Sequence, residues 1–426
     1  MGEPVRLAVV GAGSRGTTYS HHAVQSGRAK VVAVAEPVPA RRAAFAQRFG
    51  VPAAAVFDGW EALAAVPRQA DAAVVATQDR LHVAPALALA ERGYHVLLEK
   101  PIAPTLAEAE RIVEGAERAG IVLTVCHVMR YTGYTRRLIA LIGEGAVGEI
   151  VSVEHLEPVG WWHFAHSYVR GNWRREDEAS PMLLAKSCHD IDWLGYVIGR
   201  RVRRVASFGG LYHFRPDQRP AEAADRCLDC SLEPTCPYSA PRLYRAALRR
   251  RGSGAAAAVD NPSDWPLSVI TDDPSPDGVE RALRSGPYGR CVYGCDNDVV
   301  DHQVVSLEYD GGVTASFTMT AFTPLEDRKT RIFGTHGFID GDGRRFRLVD
   351  FRNGRDEIHD VDGQGDASAA GGHGGGDAGV VEAFLDAVAH GDPGAVLTGP
   401  RESLESHRIV WAAEQARLTG TVVSLD

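Results

Sequence analysis

Short apolar runs and turn signals alternate along the first third of the chain, as strands joined by helices do. Val5-Arg-Leu-Ala-Val-Val10 reads as a strand, runs into Gly11-Ala-Gly-Ser-Arg-Gly16 and opens onto a helical stretch. A second strand, Val31 to Ala35, closes on Glu36. The alternation continues with a strand over Asp71 to Ala76, the polar turn Thr77-Gln-Asp-Arg-Leu-His82 and a helix to Arg92. Gly93 then admits a strand over Tyr94 to Leu98, which ends in Glu99-Lys100-Pro101. A helix over Thr105 to Ala119 and a buried strand over Ile121 to Val125 complete the series. This pattern predicts an α/β domain built on a parallel sheet over residues 1–125.

The glycine run carries the first chemistry. By itself G-x-G-x-x-G is a weak signal. Here it follows a strand, opens a helix and precedes an acidic residue 20 positions beyond Gly16, the setting of a dinucleotide site. Gly11 allows the tight turn, Gly13 the approach of a pyrophosphate, and Gly16 the close packing of helix on strand. Glu36 is placed to accept both adenosine ribose hydroxyls and to repel a 2′-phosphate, which favours NAD over NADP; Arg41 and Arg42 partly offset that repulsion. Ligands of open parallel sheets bind at strand carboxyl ends. The candidate cofactor residues are therefore Gly11, Gly13, Ser14, Arg15, Gly16, Glu36, Thr77, Gln78, His82, Glu99 and Lys100.

Length and charge narrow the class. At 426 residues, two domains are expected. With 46 basic and 55 acidic side chains the net charge is −9, which argues against nucleic-acid or membrane-surface partners, since both require a basic face. No secretory signal fits the start, and no run approaches the roughly 18 apolar residues of a membrane span. A cytoplasmic protein with reduced thiols is expected.

Several motifs together resemble the Gfo/Idh/MocA family of NAD(P)-dependent oxidoreductases. They are Gly11-x-Gly13-x-x-Gly16, Glu99-Lys100-Pro101, Arg130-Tyr131 followed by a helix, Gly145-Ala-Val-Gly148-Glu149-Ile150, Ser187-Cys-His189-Asp190-Ile-Asp192, and Ala412-Ala-Glu414 to Leu418-Thr-Gly420. The likeness runs almost end to end, excepting roughly residues 213–300. It implies a Rossmann domain followed, from residue 126, by an α/β domain with a large, open, mainly antiparallel sheet. It also implies a carbohydrate or cyclitol substrate, with Lys100 against the reacting hydroxyl. Sheet pairing between subunits is common in the family and implies a homodimer or homotetramer.

The second domain holds the remaining candidates. Pro181 to Trp193 reads as one helix, on which Lys186, His189, Asp190 and Trp193 share a face. A stripe with three ionisable groups is expected to face a polar pocket rather than a core. Many relatives carry an acid four positions before the histidine, where this chain has Ala185. The base is then His189, or a lysine kept neutral by its neighbour, Lys100 and Lys186 depressing one another's pKa. We favour Lys100 and Lys186 as hydroxyl-polarising groups with His189 relaying the proton. Trp161, Trp162, His163, Asn172, Trp173 and Arg174 are read as a substrate wall, joined by Arg130, Tyr131 and Asp190. The resemblance adds His373, in a glycine-rich loop that nears the substrate in related proteins.

Five of the seven cysteines crowd an insertion over about 213–300. Cys227-x2-Cys230-x5-Cys236 is followed, after 54 intervening residues, by Cys291-x3-Cys295. Such spacing predicts a structural zinc site, with three ligands from the first cluster and one from Cys291 or Cys295. An iron–sulfur cluster and unliganded thiols are the alternatives. The stretch Arg249 to Pro274 is expected to be a disordered or variable loop.

Three functions compete. The first is an NAD-dependent dehydrogenase of a secondary hydroxyl on a sugar, glycoside or cyclitol. The second is a glycosidase or lyase that oxidises a sugar carbon transiently, eliminates the aglycone and returns the hydride. The third is a non-catalytic nucleotide sensor, against which Lys100, Lys186 and His189 argue.

Overall fold

The structure, a computed structural model, describes residues 3–252, 265–361 and 372–425. It divides into two units, each described by itself. One comprises Met1–Thr132 and Gly375–His407; the other comprises Gly133–Ala257, Pro266–Gly374 and Arg408–Asp426. A late stretch, Gly375–His407, belongs to the first unit.

In the first unit six parallel strands are β1 (Val5–Val10), β2 (Ala29–Ala35), β3 (Val56–Phe57), β4 (Ala72–Val75), β5 (His95–Leu98) and β6 (Leu123–Val125). Their order is β3-β2-β1-β4-β5-β6, the doubly wound arrangement whose switch point lies between β1 and β4. Leu7 to Val10 are all buried, as a central strand covered on both faces requires. The helix Leu106–Ala119 shows how locally the sequence specifies this unit. Thr105 caps its start by accepting from the Glu108 N–H, Gly120 ends it at a left-handed φ of 63°, and Ala109, Ile112, Val113 and Ala116 bury one face. The late helix Gly376–His390 joins the same core through Val380, Val381, Phe384 and Leu385.

The second unit is built on nine strands: β7 (Ile150–Pro158), β8 (Val202–Gly210), β9 (His302–Tyr309), β10 (Thr314–Thr320), β11 (Lys329–Gly334), β12 (Gly337–Gly341), β13 (Arg345–Asp350), β14 (Arg355–Asp360) and β15 (Val423–Ser424). Their order is β14-β13-β12-β11-β7-β10-β9-β8-β15, antiparallel throughout except for β7 beside β10. In β9, Gln303, Val305, Leu307 and Tyr309 are buried while Val304 and Ser306 are exposed, the alternation of a sheet with one covered face. Among the described residues no helix is long and apolar enough to cross a membrane.

The insertion corrects the metal expectation. Cys227, Cys230, Cys236 and Cys291 line one cavity of about 210 Å3. Even so, among the described residues no three His, Cys, Asp or Glu side chains are disposed to hold a metal ion. The Cys227 thiol accepts from Arg170 and donates towards the Arg290 carbonyl, and Cys295 donates to the Cys291 carbonyl. Burial raises the pKa of the Cys236 and Cys295 thiols. The insertion has a core of its own instead, with Tyr244, Leu267, Val279, Leu283 and Tyr288 packed around Cys227. The loop expected over Arg249 to Pro274 is partly helical, at Ala240–Gly252 and Leu267–Ile270; residues 253–264 lie outside the described residues.

Candidate active site

In the first unit the glycine run makes close backbone contacts at Gly11 and Gly16 and leaves Gly13 open. Gly11 has φ +92°, and a Cβ there would lie 2.5 Å from the Ala76 carbonyl oxygen. A Cβ on Gly16 would meet the Gly11 carbonyl oxygen at 2.0 Å. Nothing lies within 4 Å of the equivalent position on Gly13, so an anion can reach the start of the helix Ser14–Gln25. Glu36 is buried at the end of β2. Its carboxylate accepts from the Ala12 and Val38 N–H groups, at 2.9 Å each, while Arg41 stands 3.6 Å away. The acid is thus held rigidly beside the glycine turn, and the set of donors and acceptors fits the adenosine half of a dinucleotide.

Other candidates have different partners. Arg15 donates to Glu99 at 2.8 Å, to Tyr19 at 2.7 Å and to Asp377. Tyr19 donates to the same Glu99 oxygen, and the Lys100 backbone N–H donates to the other. Glu99 therefore fixes the backbone that carries Lys100. Burial works against the Arg15 charge, but Asp377, Tyr19 and Glu99 hold its pKa well above the ordinary value. Asp377, the acid that closes the glycine-rich run, is fully buried and was not among the candidates. The His82 ring nitrogens lie 2.7 Å from the Pro101 carbonyl oxygen and 3.1 Å from that of Thr77, so His82 clamps two loops together. Thr77 donates to Leu81, and Gln78 is exposed. Arg130 donates to Leu397, and the Tyr131 hydroxyl bonds Leu397 and Thr398. Both are buried in this packing, which pushes the Tyr131 phenol up to about 12.

In the second unit the helix read over Pro181 to Trp193 is broken. Met182–Ala185 and Cys188–Ile198 are separate, and Lys186 and Ser187 form the joint. The stripe also divides. Asp190 is fully buried, 3.1 Å from His155 Nε2 and 2.5 Å from Arg328 Nε, and Trp193 stacks on His155 at 4.8 Å. A polar stripe can enter a core once opposite charges meet it there. Burial would raise the Asp190 pKa, but Arg328 and His155 pull it well below the carboxylate range. Asp190 is thus bound to the sheet and the loop before β11, not held out to a substrate.

Lys186 and His189 have another setting. The Lys186 ammonium is 3.1 Å from Glu157 on β7, whose second oxygen is 3.0 Å from Arg328. The His189 ring is 6.0 Å from that of His373, a residue held at φ 49°. Glu157, Arg328 and His155 escaped the sequence reading because they lie on strands and a loop with no motif of their own. Strand alternation puts His155 and Glu157 on one face, and that was the only available signal.

The aromatic residues read as a wall lie close to one another and bond to the insertion. Trp162, His163, Tyr168 and Trp173 follow one another at ring separations of 5.9 to 6.1 Å. Trp161 donates from its indole to the Pro237 carbonyl of the insertion. Arg174 forms two 3.0 Å hydrogen bonds to Asp296, and Asn172 is exposed.

An oxidoreductase-family NAD-binding Rossmann fold matches residues 5–127, and an oxidoreductase-family C-terminal α/β domain matches residues 139–425. The putative oxidoreductase YteT of Bacillus subtilis is 25% identical over 274 residues, 63% of this chain and 60% of that protein. The 1,5-anhydro-D-fructose reductase of Ensifer adhaerens is 29% identical over 195 residues, 45% of this chain and 56% of that protein. The chain therefore spans less than two thirds of either relative. The structure of a levoglucosan dehydrogenase in complex with NADH is similar in fold, at TM-score 0.71 over 100% of both chains and 17% identity. Both units being matched in order, the chain belongs to the Gfo/Idh/MocA oxidoreductase family, as an NAD-binding Rossmann domain followed by a C-terminal α/β domain.

Proposed function

We propose that this protein transfers a hydride between nicotinamide and a secondary hydroxyl of a sugar, glycoside or cyclitol, with NAD preferred over NADP. The observation that carries the reading is the pairing of Lys186 with Glu157, close in sequence to His189, in a chain whose other unit is an NAD-binding domain. A bound nicotinamide supplies the hydride acceptor. Lys186, as an ammonium, donates to the hydroxyl oxygen and offsets the negative charge that grows there. His189 takes the hydroxyl proton, since its ordinary pKa lies near neutrality. Lys100 is a second donor, oriented through Glu99. Trp161, Trp162 and Trp173 offer apolar faces to the C–H side of a sugar ring.

The test is a panel of sugars, anhydro-sugars, cyclitols and aryl-glycosides, followed by absorbance of the reduced nicotinamide. One reduced cofactor per alcohol oxidised supports this function. Release of aglycone without reduced cofactor identifies the redox-neutral glycosidase instead, and no turnover with any substrate counts against both. Cofactor choice has its own check. Glu36→Ser should weaken NADH binding at least about tenfold, roughly 1.4 kcal/mol, and narrow the preference over NADPH in fluorescence titrations.

A homodimer or homotetramer is part of the same reading. On the uncovered sheet face Phe208 stands opposite Val304, with Ile358 further along, all exposed. Light scattering should then give a multiple of the 45.8 kDa chain mass.

A further inference from the structure

Lys186 sits at the joint between two helices with its amine partly open to solvent, at 16% side-chain exposure, and Glu157 behind it. Glu157 is buried near the end of β7 and divides its carboxylate between two cations, Lys186 at 3.1 Å and Arg328 at 3.0 Å. Arg328 also holds Asp190, and Asp190 holds His155. The ion pairs thus join Lys186 to Glu157 in contact, and through Glu157 to Arg328, Asp190 and His155. Asp327 adjoins Arg328, and His189 and Asp192 lie on the following helix. Two cations and two carboxylates balance. Without the Glu157 charge, Lys186 would lose an opposite charge in direct contact while Arg328 stayed nearby, and a partly buried lysine in that setting loses its proton more readily.

We infer that Glu157 is a positioning residue that keeps Lys186 an ammonium and aims it at the substrate, so that Lys186 donates a hydrogen bond and does not act as the base. The effect on rate rests on the dehydrogenase reading; the protonation state does not.

The experiment follows the reaction of Lys186 with an amine-selective reagent across a pH series, read by peptide mass spectrometry on the full-length protein. In the wild type its midpoint should lie at or above that of an ordinary lysine, about 10.4. Glu157→Gln should lower it by at least about one pH unit, through loss of an opposite charge within hydrogen-bond distance. Glu157→Asp should restore most of the difference. In parallel, the alkaline limb of kcat/KM in Glu157→Gln should move to lower pH by the same amount, whereas a purely structural role would lower activity evenly and leave the limb in place. A wild-type midpoint well below that of ordinary lysine would overturn the inference, as would an unmoved midpoint in folded Glu157→Gln. A moved midpoint with an unmoved limb would overturn the donor role. If Glu157→Gln does not fold, the wild-type midpoint decides. Absence of any dehydrogenase activity leaves the labelling result intact, so the two ideas fail separately.

Discussion

Lys100→Ala combined with His189→Ala is expected to reduce kcat/KM by about 10^3 to 10^5-fold with whichever alcohol proves to be the substrate. Loss of one preorganised donor costs about 10^2 to 10^3-fold, and loss of a proton acceptor about 10^2 to 10^4-fold. The two effects overlap, because residues that act as a unit are not additive. NADH binding, followed by fluorescence, should survive, since Gly11, Gly16 and Glu36 hold the turn independently of either side chain. Steady-state rates of the two single variants and the double variant provide the check. Activity close to wild type in the double variant would remove both residues from the mechanism and with them the proposed function of the site.

Arg328→Ala is expected to destabilise the second unit by about 3–5 kcal/mol, the effect of removing one partner from a buried charge cluster. Arg328 is the shared cation of Asp190 and Glu157, and both carboxylates are buried. Arg331→Ala is the control. It lies three residues away with its side chain 57% exposed and pairs with Glu154, so its removal should cost less than about 1 kcal/mol. Denaturant unfolding of both variants measures the contrast. The acid dependence should differ as well. In the wild type the Asp190 pKa is depressed, so its contribution is present at neutral pH and is lost only as pH falls through the low folded value. In Arg328→Ala burial dominates and raises that pKa. The deficit relative to wild type should then shrink as the pH is lowered and Asp190 takes up its proton. Equal deficits in the two arginine variants would show that the cluster contributes no more than a surface pair.

The lysine–glutamate–arginine cluster changes the account of the site. A neutral lysine base requires a cationic neighbour without a compensating acid, but Lys186 has Glu157 in contact. In the proposed mechanism proton transfer falls to His189. The cysteine segment changes in the opposite sense. Its spacing is that of a metal site, but among the described residues no three side chains are disposed to hold one, and Cys227 belongs to a small core with Tyr244, Leu283 and Tyr288.

The sequence alone determined the parts of this protein that depend on local rules. Strand and helix periods, together with Thr105 and Gly120 as helix ends, place the elements of the first unit. The glycine run followed by Glu36 identifies the cofactor turn, because only glycine tolerates a left-handed φ of 92° against the Ala76 carbonyl. Tertiary structure decided the rest, for a common physical reason: the decisive partners are distant in the chain and carry no spacing. Arg15 finds Asp377, 362 residues away, and joins a network with Glu99 and Tyr19. Asp190 finds Arg328 and His155, which turns an apparent pocket stripe inward. Lys186 finds Glu157, on a strand that no motif connects to its helix. A periodic pattern shows which face of an element is polar; only folding shows which opposite charge meets it there.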